Sequence, residues 1–210
     1  MNKVLDAIIQ IGVILFAVSV HEAAHAWMAD KCGDPTARRL GRVTLNPIPH
    51  IDLVGSILVP AFLVIMSKIT GSLFLFGWAK PVPFNPANLR NRRKGSMLIA
   101  AAGPGSNLLT AAIAIILFVL FKPLLFKIPI LAAILFNLIF INIILAVLNL
   151  LPIPPLDGSH LIEGVLKGDA YYNYQKIKPY GFIILIVLLY LGVLDIILMP
   201  ILRLVVSIIN

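Results

Sequence analysis

Four runs of apolar residues, at 4–29, 96–121, 129–150 and 181–206, are each long enough to cross the hydrocarbon core of a bilayer, which takes about 20 helical residues. In that solvent every backbone N–H and C=O must be satisfied within the chain. The runs are therefore predicted to be helices packed as an all-α, polytopic membrane bundle. Composition agrees, since 60% of the 210 residues are hydrophobic and only 12% are charged, with a mean hydropathy of +1.01. No Pro-rich or Ser/Gly-rich linker and no internal repeat divides the chain, which reads as one transmembrane domain over residues 1–210. After Lys3 the apolar run continues without a small-residue cleavage site, so the first span is expected to stay in the mature protein. The net charge of +8 is explained by topology and anionic headgroups, which argues against nucleic acid as a partner. A lone cysteine, Cys32, excludes an intramolecular disulfide and a thiolate metal cluster.

A fifth apolar stretch, 51–79, is interrupted by Lys68. The loop before it carries Lys31, Arg38, Arg39 and Arg42, and the loop after it Lys80, Arg90, Arg92, Arg93 and Lys94, so both are assigned to the cytoplasm. The stretch is accordingly expected to enter the membrane and return. With that choice the N-terminus lies outside, and four spans plus one re-entrant segment account for the chain.

Inside the first span lies "HEAAH", which sets His21 and His25 four residues apart on one helical face with Glu22 beside the first. Two imidazoles at that spacing can reach one metal ion, for which zinc is the default. A carboxylate next to them can take a proton from the attacking water and deliver it to a leaving amine. That is metallopeptidase chemistry, and three ionisable groups at membrane depth are too costly to be idle. A catalytic zinc needs a third protein ligand. The donors near the spans are His50, Asp52, Asp157, His160, Glu163 and Asp195. Two crossings separate the first span from Asp157, which returns it to the level of His25, whereas Asp195 falls on the far side. "NLLPIPPLDGSH" places Pro152, Pro154 and Pro155 before Asp157, and a proline-unwound segment turns its groups inward. Asp157 is the third ligand on this reading, with a helix N-cap as its simpler role.

"HEAAH", "AGPGSN" (102–107) and "NLLPIPPLDG" (149–158) together resemble the site-2 protease family of intramembrane zinc metallopeptidases, in a short form with no room for PDZ or CBS domains. The resemblance covers most of the chain. It implies one zinc ion per chain on His21, His25 and Asp157, with Glu22 catalytic. It also implies hydrolysis of peptide bonds within or near the transmembrane segments of membrane proteins, in regulated proteolysis or signal-peptide remnant clearance. Short membrane-embedded β-strands near the active site are part of the same expectation. "GRVTLNP" and "AKPVPF" are the candidate edges for pairing with an unwound substrate.

Asn149, opening the second signature, is expected to bind substrate backbone. His50 either stabilises the oxyanion or anchors its loop with Asp52. Asn107 is a further substrate-site candidate, more readily a structural residue within the close packing that Gly103 and Gly105 permit. The aromatic and Lys-rich stretch 168–181 suits the headgroup level. The bilayer is thus one partner and membrane-protein substrates the other, in the plasma membrane of a prokaryote with the active site toward the cytoplasm. A metal transporter or an inactive adaptor remain as alternatives. A transporter requires a polar path across the whole membrane, and the outer halves of these spans are aliphatic. An adaptor has no use for an intact Glu22.

Overall fold

A computed structural model describes residues 3–58, 79–125 and 127–209. Helix α1 (Lys3–Lys31) has no interior proline and carries Lys31 in its last turn, where the helix dipole favours a cation. Its stop is a Schellman turn. Asp34 N–H reaches Ala29 O at 2.9 Å and Gly33 N–H reaches Asp30 O at 3.1 Å, with Gly33 at φ +110°, a conformation open to glycine and costly for other residues. Helix α2 (Arg92–Leu120) begins on an Asn91 cap whose side chain accepts from Lys94 N–H. Helix α3 (Pro129–Leu150) starts with proline at its first position, where no N–H is needed, and stops before Pro152. The shorter helices α4 (Asp157–Val165) and α5 (Gly168–Ile177) follow. Helices α6 (Gly181–Tyr190) and α7 (Val193–Ile209) complete the chain.

Helix α2 is the hub, packed against α1, α3 and α4. Its contact faces are small: Ala17, Ala23, Ala26 and Ala29 of α1, and Ala100, Gly103, Ala111 and Ala114 of α2, are all buried. Ile8, Ile11, Leu109 and Ile116, by contrast, are exposed. Small residues inward and large ones outward is the arrangement of helices in lipid, where close backbone approach, rather than the expulsion of water, holds the bundle together. One buried cluster joins Ala111 and Ala114 to Leu135, Ile139 and Ile143 of α3, to Leu125, and to Val205 and Ile209 of α7. A second joins Ala29, Leu89 and Ile99.

Among the described residues three helices are long and apolar enough to cross a membrane, Val4–Lys31, Arg92–Leu120 and Pro129–Leu150. The stretch 181–206, expected as one span, is built from two helices. The helical stretch ending at Tyr190 bends by 65° into Val193–Ile209, and only as one broken span does the pair make a fourth crossing. Gly192 is the cause, adopting φ +70° just after Leu191 N–H closes the α6 ladder on Val187 O. Hydropathy is blind to such a break because the chain is apolar on both sides of it.

Residues 59–78, most of the fifth stretch, lie outside the described residues, but its two ends meet. Lys80 N–H donates to His50 O at 2.9 Å. The buried Arg42 guanidinium donates to Pro49 O at 2.5 Å, to Pro81 O at 3.2 Å and to Lys80 O. Asp34 ties the same platform together. It is fully buried and accepts from Thr36 N–H and Oγ1, Asn88 Nδ2 and Asn85 N–H. Burial opposes the charge on Asp34, but the bonds from Asn88, Thr36 and Asn85 outweigh it and hold the carboxyl below its usual range.

No strand forms among the described residues, and the two candidate edges, 41–47 and 79–84, are irregular. Side chains have taken the backbone donors there: Thr44 Oγ1 accepts from Asn46 N–H and Asn46 Oδ1 from Ile48 N–H, each at 3.1 Å. Pro47, Pro49, Pro81 and Pro83 offer no N–H at all.

Candidate metal centre

Helix α1 turns His21 and His25 toward α2, and both are buried. Their rings stand edge to face, with centroids 4.6 Å apart. Gly103 makes the space for them: a Cβ there would lie 2.6 Å from His21 Cε1 and would overlap His25 Nε2. Gly105, two residues on, has open space where its side chain would be. The two glycines of "AGPGSN" thus do different work, and only Gly103 forms the wall of the site.

Each imidazole is held by its Nδ1. His21 Nδ1 lies 2.6 Å from Asn107 Oδ1, and His25 Nδ1 lies 2.7 Å from Ile99 O. A carbonyl oxygen can only accept, so both Nδ1 atoms carry the proton and both Nε2 atoms present lone pairs. Those Nε2 atoms are 3.0 Å apart. Asp157, in the first turn of α4, places Oδ2 3.1 Å from His21 Nε2 and 3.3 Å from His25 Nε2. Asp157 Oδ2 is buried and receives no well-directed hydrogen bond, which is consistent with both Nε2 atoms lacking a proton. Three lone pairs converging without a proton among them repel one another unless a cation lies between. Two imidazole nitrogens and a carboxylate oxygen, each imidazole anchored through its other nitrogen, are a donor set that fits zinc. Among the described residues these three are the one group of ligand atoms that could hold a metal ion.

Backbone fit explains why Asp157 arrives there. A Cβ on Gly158 would overlap Leu150 O and Leu151 O, so a bare glycine is what lets α4 start directly against the end of α3. The cap of α4 is Leu156 rather than Asp157, which leaves the carboxylate free for the imidazoles. The rival ligands are engaged elsewhere. Glu163 bonds Lys178 Nζ at 2.6 Å, Gln175 Nε2 at 3.1 Å and His160 Nδ1 at 3.3 Å. Burial pushes the Glu163 carboxyl up, but Lys178, with His160 and Gln175, brings it below its usual value. Asp195 is exposed on α7, and Asp52 Oδ1 accepts from Gly55 N–H at 2.7 Å.

Glu22 is half-buried beside the histidines. Burial lowers the Arg42 guanidinium below its usual value, and the charge of Glu22 works the other way. His50 is buried with Nε2 2.9 Å from Thr44 O, a loop-anchoring contact made to Thr44. Asn149 is half-buried and donates Nδ2 to Leu145 O of its own helix at 2.9 Å. Asn107 is fully buried, which takes it away from substrate and makes it the residue that orients His21. Sequence reasoning missed Asn142, also fully buried on α3, whose Oδ1 accepts from Asn107 Nδ2 at 2.8 Å. The available signal was an amide in the middle of an aliphatic span. A shallow, open apolar groove of about 500 Å³ runs beside the centre, between Ala23, Ala24 and Trp27 of α1, the 43–45 segment, and Ser106.

The profile of Peptidase family M50 matches residues 125–191, the part that carries Asn142 and Asp157. "Putative zinc metalloprotease YwhC" of Bacillus subtilis is 37% identical over 182 residues, covering 83% of this chain and 77% of that one. Two proteins named "Putative zinc metalloprotease Rip2" align over 83% of the chain. The Mycolicibacterium smegmatis protein is 29% identical with 64% of its length covered, and the Mycobacterium tuberculosis protein is 28% identical with 63% covered. No solved structure gives a significant match. With the HEAAH helix, the Asp157 loop and the small-residue helix between them assembled around one metal-binding set, the chain belongs to peptidase family M50, the site-2 protease family of zinc metalloproteases.

Proposed function

We propose that the protein is an intramembrane endopeptidase that carries one zinc ion on His21, His25 and Asp157 and cuts peptide bonds within or near the transmembrane segments of membrane-protein substrates. The observation that carries this reading is the convergence of His21 Nε2, His25 Nε2 and Asp157 Oδ2 inside a helix apolar enough to span the bilayer. When bound, the ion supplies Lewis acidity, polarising a carbonyl and acidifying water. Glu22 accepts the proton of the attacking water and passes it to the leaving nitrogen. Asn107 and Ile99 O keep the imidazoles in the ligating tautomer throughout. The groove between α1 and the 43–45 segment receives the unwound substrate, where Ala23 and Ala24 leave room for it. Asn149, with Nδ2 turned to Leu145 O, offers its amide oxygen to a substrate N–H. The basic loops that flank the excursion put the centre toward the cytoplasmic side, in the plasma membrane.

The test is purification in detergent, metal analysis, and incubation with a panel of single-span substrates, alongside Glu22→Gln. The wild-type protein is expected to contain zinc and to cleave within a hydrophobic segment, while Glu22→Gln keeps its zinc and loses turnover. Retained turnover in Glu22→Gln removes Glu22 as the base. A wild-type protein with neither zinc nor cleavage overturns the assignment.

A further inference from the structure

The hydrogen bonds behind His21 run in one direction. Asn142 Nδ2 donates to Leu138 O at 2.8 Å, a backbone carbonyl of its own helix. That fixes which end of the Asn142 amide is oxygen, and Oδ1 is left to accept from Asn107 Nδ2 at 2.8 Å. Asn107 Nδ2 also donates to Ala17 O of α1 at 3.3 Å. Asn107 must therefore present Oδ1 to His21 Nδ1, 2.6 Å away, so His21 is protonated at Nδ1 and Nε2 is free. The whole sequence is rooted in two backbone carbonyls, Leu138 O on α3 and Ala17 O on α1, which accept and never donate. Both amides are fully buried, so no solvent competes for these bonds.

We propose that Asn142 is a positioning residue for the metal centre: it locks the orientation of the Asn107 amide and, through it, the His21 tautomer that can ligate zinc. Without Asn142 Oδ1, Asn107 Nδ2 keeps only the longer bond to Ala17 O. The amide can then turn its NH2 toward His21 Nδ1, which drives the ring proton to Nε2 and blocks the ligand atom. The proposal rests on His21 holding zinc, but not on any cleavage.

Two substitutions separate this role from packing. Leucine matches asparagine roughly in size and suits an apolar span, whereas aspartate keeps an acceptor oxygen in either protonation state and suits the span poorly. A packing role predicts that Asn142→Leu is the milder change. The orienting role predicts the reverse: in a chelator competition, Asn142→Leu binds zinc about 10- to 100-fold more weakly than wild type, the range for loss of an outer-shell partner, while Asn142→Asp stays within about threefold. Wild-type zinc affinity in Asn142→Leu overturns the proposal. Should that variant fail to fold, nitrogen NMR of the metal-free wild-type protein, labelled at histidine and assigned with His21→Gln, decides the matter. His21 protonated at Nδ1 is expected, and protonation at Nε2 overturns the proposal. A wild-type protein that binds no zinc refutes the metal assignment itself, while the tautomer measurement still tests the orienting bonds.

Discussion

Gly103→Ala asks the most of the centre for the least chemical change. The added methyl would sit 2.6 Å from His21 Cε1 and closer still to His25 Nε2, about 1 Å short of ordinary carbon contact near 3.5 Å. The rings have no simple retreat, because Asn107 Oδ1 and Ile99 O grip their Nδ1 atoms at 2.6 and 2.7 Å. Either α2 moves away from α1, at an overpacking cost of about 1–3 kcal/mol, or the imidazoles give up their bonds and zinc affinity falls about 10- to 100-fold. Gly105→Ala is the internal control. Nothing lies within 4 Å of its added methyl, so that helix should gain about 0.5–1 kcal/mol from the lower backbone entropy of alanine. Thermal unfolding in detergent and chelator competition for zinc, run on both proteins, give the answer. Gly105→Ala is expected to unfold at or above the wild-type temperature with unchanged zinc affinity, and Gly103→Ala to lose zinc affinity, stability or both. A Gly103→Ala protein equal to wild type in both measurements refutes the reasoning.

Two further outcomes follow from the same geometry. Asp157→Ala should purify as a monodisperse but zinc-poor protein, while Glu163→Ala and His160→Ala keep their zinc because those side chains are committed to each other and to Lys178; metal analysis of the three reads the ordering, and a zinc-replete Asp157→Ala sinks the ligand assignment. Asp34 has a folded pKa below its unfolded value of about 3.9, so its contribution to stability is fully present above that value and is lost as pH falls through the lower, folded one. Asp34→Asn turns one of the two accepting oxygens into a donor, set against either Asn85 N–H or Thr36 N–H, and should cost about 2–3 kcal/mol at neutral pH. Because the variant lacks the carboxylate, the gap to wild type should narrow under acid, and a gap independent of pH between neutrality and about 3 would disprove the linkage.

Much of the site was legible in the chain because its chemistry is written in local spacing. His21 and His25 share a helical face at any i,i+4 spacing, and a carboxylate, two imidazoles and a proline-broken LDG stretch at membrane depth are too costly to be incidental. The number of crossings between them was enough to bring Asp157 to the level of His25. What resisted reading was whatever depends on the rotation of one helix against another. Asn107 looked like a substrate or packing residue, and became the orienting partner of His21 only once α1 and α2 were docked. Asn142 was one amide among several on α3 until α3 met α2. His50 was open to either an oxyanion role or loop anchoring, and only the folded loop shows its bond to Thr44 O.

The sequence by itself determined that the chain belongs in a membrane, that its long apolar runs are helices, and that two metal-ligand side chains, His21 and His25, share one face near the end of the first of them. Hydropathy and i,i+4 spacing are properties of a single segment, so they survive whatever the rest of the chain does. Tertiary structure alone decided that Gly103 rather than Gly105 backs the imidazoles, that Arg42 bonds the backbone on both sides of the fifth apolar stretch, and that the last apolar run bends by 65° at Gly192. Each of these depends on where a neighbour's atoms lie to within about 1 Å, and helices that associate through small residues can rotate or slide past one another without changing their hydropathy at all.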